Sequence, residues 1–176
     1  MKSNQPIFLC GMMGAGKSTI GPRLADLMEK PFADLDQIIE ETEKMSIPAI
    51  FERKGESWFR KRERELLIQT AREFNGVLAL GGGSLQNQEL TDQLKMYGWL
   101  VYLRPELQQL SARLAESTNR PMLAGKSGEG IRQRLKSLLD EREPFYNQAH
   151  FTIKTGTLPP DEIAQIILKK LTPNET

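Results

Sequence analysis

Nine positions near the N-terminus combine three glycines, a lysine and two hydroxyl side chains. They follow an apolar run in the stretch PIFLCGMMGAGKSTIGPRLADLM at residues 6–28 and fit the pattern G-x-x-x-x-G-K-[ST]. Glycines there let backbone N–H groups turn toward one anion, and the helix that follows points its positive dipole end at the same place. A lysine facing the surface adds a cation for phosphate, and the hydroxyl after it can bind Mg²⁺. The stretch therefore predicts a nucleoside triphosphate site. The alternative, a glycine-rich turn that only packs a helix on a strand, is disfavoured by the complete pattern between a strand and a helix.

Two acids, Asp34 and Asp36, end a second apolar run in the stretch FADLD. The alternation of a strand places both carboxylates on the same side, at the carboxyl edge where parallel sheets bind ligands. One acid could then support Mg²⁺, and the other could accept a proton or hydrogen bond from a substrate hydroxyl. The alternative makes Asp36 only the N-cap of the helix QIIEETEK.

A charged pair and a glycine triplet follow in the chain. The stretch after GESW predicts a helix whose mainly apolar face is formed by Phe59, Glu63, Leu66, Leu67, Thr70, Ala71 and Phe74. Arg60 and Glu63 lie on or beside this face, either as a structural ion pair or as an arginine held by a glutamate to receive an anionic substrate. In LALGGGS, residues 81–83 end a third strand, and three glycines can bring backbone N–H groups close to a ligand.

These residues need a scaffold that brings strand ends together. Apolar runs alternate with amphipathic segments; the runs are PIFLC, PFADLD, GVLALGG, WLVYLRP and HFTIKT. This alternation predicts a parallel sheet flanked by helices. Ser46 is expected to cap the helix IPAIFERKG, and PPDEIAQIILKKL is expected to form the last helix. Residues 117–130 have no steady period and predict a mobile loop between two helices.

Composition limits the classes of protein that fit. A chain of 176 residues, 39% of them hydrophobic, suits one domain. Its 24 basic and 23 acidic side chains leave a net charge of +1, so no global field favours nucleic acid or an anionic membrane. The N-terminal residues do not resemble a signal peptide, and no apolar segment approaches the length of about 20 residues that would span a bilayer. We expect a cytoplasmic protein with Cys10 as a small buried hydrophobe and His150 in a structural role.

In their order along the chain, these motifs resemble the shikimate kinase family. The resemblance extends from about Phe8 to Phe151. It rests on the P-loop, which is the glycine-rich pattern at residues 11–18, and on the stretches DLD, GESWFRKRE, LALGGGS, NRPML and EREPFY. It implies an α/β, three-layer P-loop kinase fold with a five-stranded parallel sheet in the order 2-3-1-4-5, flanked by helices, and a mobile lid. One domain would span residues 1–176, with a shikimate-binding segment at about 36–63 and the lid at about 117–130.

The resemblance also implies the reaction and the nucleotide site. The γ-phosphoryl group of ATP, bound with Mg²⁺, would pass to the 3-hydroxyl of shikimate and give shikimate 3-phosphate in aromatic amino acid synthesis. The enzyme would be a monomer that binds neither nucleic acid nor membranes. The nucleotide would contact Gly11, Gly14, Ala15, Gly16, Lys17, Ser18 and Thr19 in the P-loop. Arg113 would flank the adenine, and Ser18 and Asp34 would serve Mg²⁺. Leu158 and Pro159 stand where the family more often has a polar or cationic second adenine contact.

The acceptor site implied by the resemblance consists of Asp36, Arg60, Glu63, Gly81, Gly82, Gly83, Arg120 and Arg142. Asp36 would hold the shikimate hydroxyls, and Arg60 and Arg142 would bind the shikimate carboxylate. The glycines would contact the other polar edge of the shikimate ring. Arg120 would close over the transferring phosphate, where a guanidinium can meet two oxygens of a loose transition state. Catalysis would therefore depend on Lys17, Asp36 and Arg120.

Other readings of the chain make different demands on the sequence. A gluconate kinase or a nucleoside monophosphate kinase would share the architecture, but a nucleotide acceptor would need an arginine-rich phosphate site and a base pocket. A nucleotide-driven switch would need an N-K-x-D stretch to recognise guanine, and the sequence contains none. A scaffold role would leave the P-loop unexplained.

Overall fold

A computed structural model of the chain describes residues 5–116 and 128–172. The elements in chain order are β1 (Ile7–Cys10), α1 (Lys17–Met28), β2 (Phe32–Asp34), α2 (Leu35–Glu43), α3 (Ile47–Lys54), α4 (Glu56–Glu73), β3 (Val77–Ala79), α5 (Gln88–Tyr97), β4 (Trp99–Arg104), α6 (Leu107–Ala115), α7 (Gly128–Tyr146), β5 (Phe151–Lys154) and α8 (Pro160–Leu171). The strands form one parallel sheet in the order β2-β3-β1-β4-β5. The predicted α/β class and the order 2-3-1-4-5 are confirmed.

The central strand β1 is buried on both faces, and its alternation separates two layers of core. Ile7 and Leu9 pack with the apolar faces of α1 and α8, whereas Phe8 and Cys10 pack with α2, α4, α5 and α7 on the other side. Burial raises the pKa of the Cys10 thiol to about 12, although the nearby charge of Lys17 acts in the opposite direction. Cys10 is therefore an inert core residue, as predicted.

Local capping explains where several helices begin. The Ser46 hydroxyl accepts a hydrogen bond from the Ala49 N–H at 3.4 Å and caps α3, as expected. Helix α8 begins with Pro160, followed by two acids in its first turn, and ends with two lysines in its last turn. Both charge patterns complement the helix dipole.

The boundary between β2 and α2 differs from the predicted one. Strand β2 ends at Asp34, and Asp36 already lies in the first turn of α2. The reason is a cap: Oδ1 of Asp34 accepts a hydrogen bond from the Asp36 N–H at 3.0 Å. Strand alternation was therefore the wrong argument for these acids, and the residue that caps the helix is Asp34 rather than Asp36.

Helix α7 also begins earlier than expected. It starts at Gly128, so the last three residues of the predicted loop at 117–130 are helical, with Glu129 in the first turn where the dipole favours an acid. The rest of that predicted loop lies outside the described residues. Within residues 5–116 and 128–172, no helix has the length and apolar character needed to cross a membrane.

His150 has the structural role expected for it. Its Nδ1 accepts a hydrogen bond from the Leu100 N–H at 3.0 Å, and its ring meets Trp99 edge-on at 5.0 Å. Burial lowers the pKa of the imidazole, and the positive charge of Lys95 lowers the pKa further. A neutral ring suits the accepted hydrogen bond.

Candidate active site

The loop between β1 and α1 adopts a conformation that requires its glycines. Gly11, Gly14 and Gly16 have φ angles of 142°, 79° and 98°, in the region that favours glycine. A Cβ on Gly11 would also lie 2.5 Å from the Leu103 carbonyl oxygen. Sterics thus explain why this loop needs its glycines, and α1 begins directly after the loop, at Lys17, so the positive end of the helix dipole lies beside it.

Lys17 is buried rather than facing the surface. Its Nζ donates hydrogen bonds to the carbonyl oxygens of Gly11 at 2.7 Å and Met12 at 2.9 Å. The ammonium group is therefore held inside the loop, where two carbonyl dipoles compensate for lost water. A phosphate group bound in this loop would meet a cation that is already in place.

The Ser18 hydroxyl and the Asp34 carboxylate bring hard oxygen atoms together at the mouth of the loop. The Ser18 hydroxyl donates a hydrogen bond to Oδ2 of Asp34 at 2.7 Å. Among the described residues, no group of three or more His, Cys, Asp and Glu side chains could hold a metal ion. This arrangement fits Mg²⁺, which commonly takes one or two protein oxygens and completes its shell with water and substrate phosphates.

A cavity of about 480 Å³ lies over the P-loop. Asp34 and Asp36 line one side of it, and Arg113 and Leu158 also line it. Nη1 of Arg113 donates a hydrogen bond to the Gly14 carbonyl oxygen at 2.9 Å, which fixes the guanidinium beside the loop. Except for Gly11, the predicted nucleotide residues therefore line one cavity, and Arg113 and Leu158 both lie at its wall.

Asp36 occupies an unusual electrostatic position in this cavity. Its side chain is open to the cavity, yet nearby protein atoms limit its hydration, and this desolvation raises its pKa to about 6. The negative charges of Asp34 and Glu63 raise the pKa further, and Lys17 opposes them. A carboxyl group with such a pKa can accept a proton near neutral pH.

The half-buried Arg60 and the buried Glu63 form an ion pair on α4. Nη1 of Arg60 lies 2.7 Å from Oε2 of Glu63, and the other oxygen, Oε1, accepts a hydrogen bond from the Ser84 hydroxyl at 2.7 Å. A Cβ on Gly83 would lie 2.7 Å from both terminal nitrogens of Arg60. The guanidinium is thus pressed against the glycine triplet, which leaves no room for a side chain there.

Arg142 reaches the same triplet from α7. It is buried, and a Cβ on Gly82 would lie 3.6 Å from its Nη1 and 3.1 Å from the Met13 N–H nitrogen. One turn later on α7, the Tyr146 hydroxyl donates a hydrogen bond to the Gly82 carbonyl oxygen. Both side chains also lie 3.9 Å from the Met12 sulfur. Helix α7 is therefore attached to the P-loop as well as to the triplet.

The predicted acceptor residues that the structure describes meet at the triplet, but their side chains line different cavities. Asp36 faces the 480 Å³ cavity, Arg142 a cavity of about 300 Å³ and Arg60 one of about 290 Å³. Gln86 lines both smaller cavities. Arg120 lies outside the described residues.

Three residues of the site were missed by sequence reasoning: Met12, Ser84 and Tyr146. Tyr146 belongs to the buried face of α7 that also includes Leu135, Leu138 and Arg142, so helical spacing could have identified it. Nothing in the sequence marks Met12 or Ser84, because their roles come from partners that the fold brings to them.

Known proteins resemble this chain over nearly its whole length. A family model described as shikimate kinase matches residues 13–172. A shikimate kinase of Chlorobium phaeobacteroides is 43% identical over 162 residues, 89% of this chain and 85% of the relative. One from Legionella pneumophila is 42% identical over 166 residues, 94% of this chain and 93% of the relative.

Solved structures show the same similarity in three dimensions. The shikimate kinase of Acinetobacter baumannii in complex with shikimate superposes with a TM-score of 0.91 at 37% identity, covering 99% of this chain and 96% of that one. A gluconokinase from Sinorhizobium meliloti shares the fold at a TM-score of 0.56 and 18% identity.

Proposed function

Because the chain belongs to the shikimate kinase family, it is an ATP-dependent kinase, and we propose that it transfers the γ-phosphoryl group of ATP to the 3-hydroxyl of shikimate. The observation that carries the proposal is the surroundings of the glycine triplet. Cβ atoms built on three successive residues would meet Asp36 at position 81, Arg142 at position 82 and Arg60 at position 83. One acid and two arginines suit a ring with hydroxyls at one end and a carboxylate at the other.

The nucleotide would occupy the cavity over the P-loop. Its β- and γ-phosphates would lie against the backbone N–H groups of the loop and against Lys17, with Arg113 beside the adenine. Ser18 and Asp34 would hold Mg²⁺, Asp34 through water, and the ion would neutralise charge that develops on the phosphate oxygens.

The acceptor would lie between the P-loop and α4. Arg60 and Arg142 would bind its carboxylate, and the backbone at 81–83 would approach the ring edge. Asp36 would orient the attacking hydroxyl and receive its proton late in the transfer, since a loose transition state asks little of a base earlier. The pKa of about 6 leaves most Asp36 side chains ionised at neutral pH, as this role requires.

Arg120 would complete the site by closing over the transferring phosphate. A guanidinium there stabilises the charge of the transition state, and closure of the segment at about 117–130 would exclude water that competes for the phosphoryl group. We expect Arg120→Ala to lower kcat more than it raises the KM of the acceptor.

The proposal can be tested by comparing acceptors in an assay of ADP release. Shikimate methyl ester would leave two partly desolvated arginines without an anion, at about 2 to 5 kcal/mol in kcat/KM. This range corresponds to a loss of about 30-fold to several thousand-fold. Arg60→Ala should strongly lower the kcat/KM for shikimate. It should also reduce the ratio of the kcat/KM for shikimate to that for the methyl ester. Equal use of acid and ester by the wild type, or faster turnover of gluconate, would contradict the proposal.

A further inference from the structure

Ser84 lies behind the proposed acceptor site, at the end of the turn that the glycine triplet forms. The residue is 4% exposed, and its hydroxyl donates a hydrogen bond to Oε1 of Glu63 at 2.7 Å. The turn itself is closed by a different bond, from the Ser84 N–H to the Gly81 carbonyl oxygen at 3.1 Å. The hydroxyl is therefore not needed to form the turn, and alanine at this position would keep the backbone bond.

Glu63 depends on that hydroxyl because its carboxylate is buried. The residue is 3% exposed, and its two oxygens are held by different donors, Oε2 by Arg60 and Oε1 by Ser84. A buried carboxylate oxygen without a donor is unfavourable, and a carboxylate held at one oxygen can rotate about its last torsion. The Ser84 hydroxyl removes both problems.

A neighbouring charge makes this restraint more important. A Cβ on Gly81 would lie 2.8 Å from Oε1 of Glu63, 2.8 Å from the Ser84 hydroxyl oxygen and 3.0 Å from Oδ1 of Asp36. The two carboxylates thus converge on the same glycine, where like charges repel. The Ser84 hydroxyl lies at this convergence and holds Glu63 in the position that also binds Arg60.

We propose that Ser84 is a positioning residue for the acceptor's carboxylate: its hydroxyl fixes Glu63, and Glu63 in turn fixes the guanidinium of Arg60 beside Gly83. The inference deepens the proposed function and rests on it, because it takes Arg60 as the group that binds the acceptor's anion. It concerns the direction in which the guanidinium points, not the chemistry of transfer.

Ser84→Ala should then affect the binding of shikimate but not of ATP, and within shikimate only the recognition of the carboxylate. We expect the KM for shikimate to rise about tenfold, in the range of a charge-assisted hydrogen bond that acts through a neighbour. The KM for ATP should stay within about twofold and kcat should change less than the KM for shikimate. The kcat/KM for shikimate methyl ester should also stay within about twofold, since the ester has no carboxylate for Arg60 to meet.

The experiment measures ADP release by Ser84→Ala, Arg60→Ala and the double variant, with shikimate and with its methyl ester. If Ser84 acts through Arg60, the Ser84→Ala effect on shikimate should disappear in the Arg60→Ala background. Equal losses in both backgrounds, or equal losses for acid and ester, would overturn the inference. Ser84→Thr, which keeps the hydroxyl, should retain the preference for the acid, and loss of that preference would count against the inference too.

Thr91→Val is the matched control. Thr91 is fully buried in α5, and its hydroxyl donates to the Asn87 carbonyl oxygen at 3.0 Å. Removal of the Thr91 hydroxyl should leave the KM for shikimate unchanged, and a rise equal to that of Ser84→Ala would assign the effect to general loosening of the structure.

If Arg60→Ala leaves the preference for acid over ester intact, the proposed function fails. If it abolishes that preference while Ser84→Ala affects acid and ester equally, only the role of Ser84 fails.

Discussion

Replacing Asp36 by asparagine should stabilise the ligand-free protein while it abolishes phosphoryl transfer. Folding raises the pKa of this carboxyl group from its ordinary 3.8 to about 6, through desolvation first and then the charges of Asp34 and Glu63. The ionised side chain is therefore less stable in the folded protein than in the unfolded chain. Asparagine has nearly the same shape and carries no charge, so the substitution removes this unfavourable term.

The size of the effect follows from the pKa difference and the exposure of the side chain. The difference between 3.8 and about 6 corresponds to about 3 kcal/mol. Asp36 is exposed to the cavity, so solvent screening reduces this value severalfold. Its charge also lies in the first turn of α2, where the helix dipole favours it by about 0.3 to 1 kcal/mol. After the dipole term is subtracted, we expect a net gain of about 0.5 kcal/mol at pH 8, or about 1 to 2 °C in Tm.

The pH dependence gives the sign of the prediction. Well below pH 3.8 the carboxyl group is protonated in both the folded and the unfolded state, so the charge penalty is absent there. As pH rises toward 6, the unfolded chain ionises first and wild-type stability falls; above pH 6 the whole penalty is present.

Urea denaturation at pH 5 and pH 8, combined with ADP release, checks the prediction. Asp36→Asn should be more stable than the wild type at pH 8, with a smaller gain at pH 5, and its kcat/KM for shikimate should fall at least about 100-fold. Glu41→Gln, an exposed change on the same helix, is the control and should show no such pattern. A less stable Asn variant at pH 8, or an equal gain at both pH values, would refute the idea that crowded negative charge destabilises the empty site.

Two further substitutions test the phosphate loop and the triplet. Lys17→Met should lower kcat by about 1000-fold or more while circular dichroism still shows a folded protein, because the ammonium group stabilises developing phosphate charge; near-normal turnover with ATP would contradict this. Gly81→Ala should destabilise the protein by about 1 to 3 kcal/mol and raise the KM for shikimate, since its Cβ would lie 2.8 Å from Oε1 of Glu63. Denaturation of Gly128→Ala, whose Cβ would have no atom within 4 Å, provides the comparison and should show no loss of stability.

The scaffold of the site was largely predictable from the sequence. Apolar runs of strand length alternating with amphipathic helices indicate a parallel sheet, because only buried strands tolerate continuous apolar sequence. The strand order came from the family resemblance, since periodicity does not specify which strands are neighbours. The P-loop was identifiable because its glycines answer a local backbone requirement, which a sequence pattern records directly.

The details around the acids were not predictable in the same way. Whether Asp36 continues a strand or starts a helix depends on one hydrogen bond from its N–H to Asp34, and both outcomes suit the sequence DLD. The burial of Lys17 follows from loop carbonyls that turn inward. Ser84 meets a partner 21 residues away, and Tyr146 one 64 residues away, so only the packed fold reveals these contacts.

Met12 contacts residues of both the proposed nucleotide site and the proposed acceptor site. Its carbonyl oxygen accepts a hydrogen bond from Lys17, and its sulfur lies 3.9 Å from Nη1 of Arg142 and from the Tyr146 hydroxyl. A ligand that draws Arg142 or Lys17 away changes the surroundings of Met12, and therefore the energy of the other contact. We therefore expect the binding of the nucleotide and the binding of the acid to be coupled. Thermodynamic linkage then requires that the factor by which the nucleotide alters the affinity for the acid equals the factor by which the acid alters the affinity for the nucleotide.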